Sequence, residues 1–234
     1  MSETFTPLVS SRANYYCKGS PVHFALVELF KLEETGSTVV TLTFKNLYSH
    51  PIRTFTAHFC CKDRQGAVLG EDDFEYRDVD VREGECFGSD DGVFISDEPL
   101  GSVEVTLVSV IYDDGILHSL KRCPPVQLPA LQPMEEPVLK AVRAALPQCH
   151  GLRYYPAKAE DGWRCACGGF NYNAGKGRTG CSECGAGKTE LLQAVRDAQR
   201  SAYPRREAYD AAADLSAAGR APSAPVPPHE YGGR

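Results

Sequence analysis

No apolar run in the chain approaches the roughly 18 residues that a membrane-spanning helix needs. The opening residues Met1-Ser2-Glu3-Thr4 have neither the basic n-region nor the apolar h-region of a secretory signal, so a reducing, cytoplasmic setting is expected. Signatures of common catalytic machinery are absent too: no G-x-S-x-G, no H-E-x-x-H, and no H-x-E followed by P-C-x-x-C. There is no internal repeat, and no Cys…Trp…Cys spacing of an immunoglobulin domain.

An excess of positive charge is also missing. The formal net charge is −6, and it is unevenly spread. Glu71 to Glu98 holds twelve acidic residues against Arg77 and Arg82, whereas Gly151 to Tyr203 holds eight basic and five acidic ones. A chain with this balance is poorly suited to holding a polyanion over its whole surface. The acidic stretch Glu71, Asp72, Asp73, Glu75, Asp78 and Asp80 lacks the D-x-D-x-D-G order of a calcium loop and reads as a solvated face.

Cysteine, by contrast, is plentiful, with ten residues among 234. In a reducing compartment these are not read as disulfides. Cys165, Cys167, Cys181 and Cys184 form two close pairs around a Gly- and Asn-rich loop, W-R-C-A-C-G-G-F-N-Y-N-A-G-K-G-R-T-G-C-S-E-C-G. Two short turns facing each other supply the four soft ligands that tetrahedral Zn²⁺ takes at about 2.3 Å. Gly168, Gly169 and Gly185 follow the pairs, where a knuckle needs left-handed backbone. A structural zinc ion, one per chain, is therefore expected. Cys17, Cys60, Cys61, Cys86, Cys123 and Cys149 are scattered and read as small buried hydrophobes. Cys149-His150 lies near the zinc segment but lacks two further ligands.

Hydrophobic patterning divides the chain. Residues 1–20 are polar without periodicity and are expected to be loose. Residues 21–128 read as short strands separated by turns, an antiparallel β-sandwich. Phe24 to Leu32 is apolar on both faces, as in a central strand, whereas Val40, Leu42 and Phe44 alternate with Thr41, Thr43 and Lys45. Phe55, Ala57, Phe59 and Cys61 repeat the alternation. Val103, Val105 and Leu107 face one way, and Val108, Val110 and Tyr112 then demand burial on both faces or a bulge. Asp63-Arg64-Gln65-Gly66, Ser89-Asp90-Asp91-Gly92 and Asp113-Asp114-Gly115 carry hairpin-turn chemistry. Residues 129–159 combine a proline-rich linker with a short amphipathic helix that Pro137 opens and Pro147 stops, its stripe being Val138, Leu139, Val142 and Leu146. The zinc ribbon spans 160–187, and a second amphipathic helix, 188–203, has the stripe Leu191, Leu192, Val195 and Ala198. Residues 204–234 are Ala-, Pro-, Gly- and Ser-rich and are expected to be disordered. With few groups to bury in the proline segment, the sandwich and ribbon are expected to fold independently.

Several motifs invite function and fail on chemistry. Gly185-Ala186-Gly187-Lys188-Thr189 looks like the end of a phosphate loop, but the position that needs its first glycine is Ser182, and no strand precedes it. A catalytic zinc keeps an open position and favours His or carboxylate ligands, whereas four thiolates close the coordination sphere. His23, His50, His58 and His118 fall in strands or turns and read as structural.

The cysteine segment resembles the Ran-binding-protein type of zinc finger through Trp163, Asn171, Arg178 and the final C-x-x-C, over about 25 residues. Its first pair is C-x-C rather than the family's wider spacing, and its central loop is longer. The resemblance implies single-stranded RNA binding through Trp163, Phe170, Asn171, Tyr172 and Arg178, or ubiquitin binding through a Thr-Phe step, and no such step follows Cys167. On the bland reading, Trp163 covers the metal core and Asn171 holds the loop. The order of an all-β domain, a short helix and a C-terminal zinc ribbon also resembles a group of bacterial proteins without assigned activity, through N-L-Y-S-H-P-I and the D-D-G hairpin. Taken together, the expectation is a non-enzymatic binding or scaffold protein making protein–protein contacts. The alternatives are weak single-stranded RNA or DNA binding through the ribbon, and an enzyme with a site not legible in sequence.

Overall fold

The computed structural model describes residues 4–173 and 180–203. In chain order the first strands are β1 (Phe5–Arg12), β2 (Tyr15–Cys17), β3 (Val22–Leu32), β4 (Thr38–Asn46) and β5 (Ile52–Lys62). Then come β6 (Val68–Tyr76), β7 (Cys86–Phe87), β8 (Gly92–Ser96), β9 (Ser102–Tyr112), β10 (Leu117–Ser119) and β11 (Pro125–Gln127). Helix α1 (Glu136–Ala145) leads to β12 (Ala157–Ala159), β13 (Gly162–Arg164), β14 (Phe170–Tyr172) and helix α2 (Lys188–Ala202). No helix among the described residues is long and apolar enough to cross a membrane.

The chain is mainly β, with two antiparallel sheets packed as a sandwich. One has the order β1-β3-β4-β7, with β8 also on β4, and the other the order β10-β9-β5-β6. The alternating residues of β4 and β5 explain the packing. Val40, Leu42 and Phe44 are buried against Phe55, Ala57, Phe59 and Cys61, and the Phe44 and Phe55 rings lie 4.7 Å apart. Such side chains each contribute about 1.5–3 kcal/mol by leaving water. In β9, Thr56 pairs with Ser109 but Ala57 pairs with Leu107, so Val108 is an extra residue. This bulge turns both Leu107 and Val110 into the core, the second of the two outcomes the double-faced sequence allowed.

Three expectations need correction. Residues 1–20 are not loose: β1 pairs with β3, and β2 pairs with β11. All eight residues of β1 are exposed, so its backbone ladder rather than an apolar face holds it, and no periodicity announced it. The proline-rich stretch from 124 is not bare linker either. β11 adds to β2, and Leu128 buries its side chain with Tyr16. Ser89 to Gly92 is not a hairpin turn, because β7 and β8 both pair with β4. The left-handed residue there is Gly88, at φ 88°, where a Cβ would stand 2.5 Å from the Leu42 carbonyl oxygen. The Asp63–Gly66 turn is as expected, with the Asp63 carboxylate accepting from the Gln65 and Ala67 N–H groups.

Helices α1 and α2 pack on each other and on the cysteine segment, burying Val138, Val142, Leu191, Val195 and Ala198. Leu192 departs from the expected stripe and is exposed. The tail from residue 204 lies outside the described residues.

A third apolar cluster joins the sandwich side to the ribbon: Tyr16, Leu128, Ala159 and Phe170. Tyr16 stacks on Phe170 at 4.8 Å, and its hydroxyl donates to Asp161 at 3.0 Å. Tyr16→Ala is therefore expected to cost about 3–5 kcal/mol in urea unfolding. Tyr16→Phe should cost only about 1 kcal/mol, for the hydroxyl. Equal effects of the two substitutions would show that ring packing does not matter here.

Candidate metal centre

The cysteine segment begins with the three-stranded sheet β12-β13-β14. The turn between β13 and β14 is the first knuckle: Cys165 N–H donates to Gly169 O, and Gly168 N–H donates to Cys165 O, each at 2.8 Å. The second knuckle precedes α2, where Cys181 N–H donates to Ala186 O at 2.8 Å and Gly185 N–H donates to Cys181 O at 2.9 Å. Gly168 and Gly185 have φ of 93° and 76°, conformations costly for any residue with a Cβ.

These two turns bring the sulfurs together. Cys165 Sγ lies 3.6 Å from Cys184 Sγ, and Cys167 Sγ lies 3.6 Å from Cys181 Sγ. All four lie within 4.8 Å of one another, and three of the residues are buried. Sulfurs about 2.3 Å from a tetrahedral centre would stand roughly 3.8 Å apart, so the spacing suits a metal ion. The thiol chemistry agrees. Hydrogen bonding to Cys167 and Cys181 pushes the Cys165 thiol up, while hydrogen bonds from Cys165 and Cys167 hold Cys181 down as an acceptor thiolate. Several thiolates this close repel one another unless a cation stands among them.

The other residues named from sequence sit around this core. Trp163, Phe170 and Asn171 are 5%, 8% and 8% exposed. Trp163 packs in the cluster with the cysteines, and the Lys188 ammonium stands 5.7 Å from its ring centroid. Asn171 joins the knuckles: its Oδ1 accepts from Ser182 N–H at 2.9 Å, and its Nδ2 donates to Gly169 O at 3.3 Å. Phe170 and Tyr172 face the sandwich side, against Tyr16 and His23. Arg178 lies outside the described residues. Cys149 is buried, and burial, followed by the nearby Cys184 and Cys181, pushes its thiol up. It is not among the four sulfurs, and His150 is exposed.

Three functional contacts were not legible in the sequence. Arg164 is buried, and its guanidinium donates to Pro129 O at 2.7 Å, Ala13 O at 3.3 Å and Gly168 O at 3.3 Å. It thus pins the first knuckle to the sandwich side. Arg12, at the end of β1, lies over Gly168 and pairs with Glu183 of the second knuckle. The only trace of this in sequence was the W-R-C step. Arg12 and Glu183 are 171 residues apart in sequence and carried no local signal. His23 was the third. It is buried where β3 meets β14, and its Nδ1 lies 3.4 Å from the Tyr172 hydroxyl.

Burial, then the charges of Lys45 and Arg164, push His23 down to about 4. The unfolded chain binds this proton near the ordinary value of 6.5. Stability is therefore full above that value and falls as pH drops toward 4, where the native state also takes the proton. At about pH 5.5 the loss is on the order of 1 kcal/mol. His23→Gln should flatten the decline of Tm between about pH 7.5 and 5.5. An unchanged slope would mean that His23 is not held neutral.

No protein-family model, curated protein or solved structure matches the chain. What stands of the resemblance is a mainly β protein with a four-cysteine cluster at residues 165–184 that could hold a metal ion.

Proposed function

We propose that the chain is a non-enzymatic binding protein, stabilised by one structural Zn²⁺ on Cys165, Cys167, Cys181 and Cys184, that makes protein–protein contacts. The observation carrying this reading is the donor set: four sulfurs within 4.8 Å, from two glycine-closed knuckles. Soft thiolates in tetrahedral array suit zinc, and four of them leave no open position for a substrate or activated water. The buried histidine nearest the ribbon supports the non-enzymatic part. His23 is held neutral far below the range in which a general base works at neutral pH.

A protein partner is supported by the edge strand β1. Phe5, Leu8 and Val9 are 46%, 50% and 52% exposed, and among the described residues no strand pairs with the outer edge of β1. Pro7 lacks an N–H, and the register shifts at Leu8, so continuous strand addition is interrupted. Contact through the apolar side chains fits this edge better than backbone pairing. Single-stranded RNA or DNA binding has less support, because Trp163, Phe170 and Asn171 are turned into the fold and offer no stacking platform.

Elemental analysis of protein expressed with ample zinc should find one equivalent per chain, and Cys181→Ser should abolish it. Removing a structural zinc, worth about 10–16 kcal/mol in small fingers, should unfold the ribbon. Less than half an equivalent of zinc in the unsubstituted protein contradicts the metal assignment. Random single-stranded RNA should bind more weakly than about 10⁻⁵ M by fluorescence anisotropy at physiological salt. Sub-micromolar binding would reverse the order of the two readings. A protein co-purifying from the native host should be lost from the double variant Leu8→Lys, Val9→Lys, and its retention would remove β1 as the contact.

A further inference from the structure

Where the ribbon leans on the sandwich, the two do not close completely. A cleft of about 960 Å³ opens between β14 and the end of the sandwich formed by the β4–β5 connection and β9–β10. That volume lies at the upper end of small-molecule sites. Its walls carry two sets of rings. Tyr48, Tyr112 and His118 form one, with centroids 5.2 Å apart for Tyr48–Tyr112 and 5.4 Å for Tyr112–His118. His23 and Tyr172 form the other, 5.6 Å apart.

The polar groups of this cleft are incompletely satisfied. Lys45 lies on its wall, half-buried, and makes no ion pair among the described residues. The second lysine of the wall, Lys18, is already paired with Glu160. The Tyr112 hydroxyl is buried without a hydrogen-bond partner. Burial holds His23 toward the neutral form, and the one hydrogen-bond contact of its ring nitrogens among the described residues, to the Tyr172 hydroxyl, is long at 3.4 Å. Buried polar groups are ordinarily bonded, so an orphan hydroxyl and a weakly held imidazole, beside an unpaired half-buried lysine in one aromatic-lined cleft, point to a ligand.

We propose that this cleft binds a small aromatic acid, its ring lying against the tyrosine and histidine rings and its carboxylate on Lys45. Three features select this class. The rings favour a planar apolar body over an aliphatic one. The unpaired ammonium favours a single anionic group, and the acidic Glu160 and Asp161 at the ribbon side disfavour a polyanion. The site is made half of sandwich and half of ribbon, so a structural metal would keep one wall in place. The cleft itself is independent of the β1 edge and of any partner bound there.

Isothermal titration calorimetry on the zinc-loaded full chain tests this with three probes: 2-naphthoate, its uncharged amide, and cyclohexanecarboxylate. Saturable binding of 2-naphthoate is expected, about tenfold tighter than either of the others, one lacking the charge and the other the ring. Lys45→Met should bring 2-naphthoate down to the level of the amide, while Lys62→Met, on the outer face of the other sheet and paired with Glu104, should change nothing. Lys45→Gln serves as a second variant if Lys45→Met does not fold. Raising salt should weaken 2-naphthoate but not the amide in the unsubstituted protein, which tests the charge without any variant. No saturable binding of 2-naphthoate up to about 5 mM, equal affinity for acid and amide, or unchanged affinity in the folded Lys45 variant would each overturn the proposal.

Discussion

Four cysteine sulfurs crowded within 4.8 Å are the constraint on which the ribbon depends. Thiols at that spacing cannot all ionise alone, and a bound cation would turn their mutual repulsion into attraction. With the sulfurs held, the two knuckles are fixed relative to each other. Asn171 can then bridge from Gly169 to Ser182, and β14 can present Phe170 and Tyr172 to Tyr16 and His23. Arg164 and Arg12 approach the first knuckle from the sandwich side, Arg164 at the Gly168 carbonyl and Arg12 over Gly168.

Much of this was legible because it obeys local rules. The alternation of β4 and β5, the Asp63 turn, the Pro137 helix start and the cysteine knuckles each rest on a short stretch of sequence whose chemistry has one good solution. The doubled face of β9 left burial on both faces or a bulge, and the structure has the bulge, at Val108. What escaped was non-local. β1 has no buried face, so nothing in its composition distinguishes it from a tail. Tyr16 reads as one more residue of a polar stretch until β11 and β14 close over it. Arg164 carried no burial signal in the sequence, yet it is buried and donates to carbonyls of Ala13 and Pro129. Such contacts are set by separate segments meeting, Ala13 with Arg164 and Tyr16 with Phe170 across more than a hundred residues, which periodicity cannot register.

The same non-local meeting shapes function. Residues that the sequence offered as a nucleic-acid face are spent on cohesion: Trp163 in the cysteine cluster, Asn171 across the knuckles, Phe170 on Tyr16. In exchange, docking the ribbon against one end of the sandwich creates a cleft that neither part contains alone. Binding chemistry in this protein is therefore best sought between its parts and along its edge, rather than on the ribbon's own surface. A metal ion on the four sulfurs would act at a distance, by holding a wall.

Amide hydrogen exchange before and after metal removal by a chelator tests this dependence most directly. Removal should erase protection in residues 162–172 and 181–187, and around Tyr16 and His23, while the centres of β5 and β9 keep theirs. Unchanged protection of the ribbon amides in metal-free protein would contradict the account, because the knuckles and the docked wall would then hold without the ion.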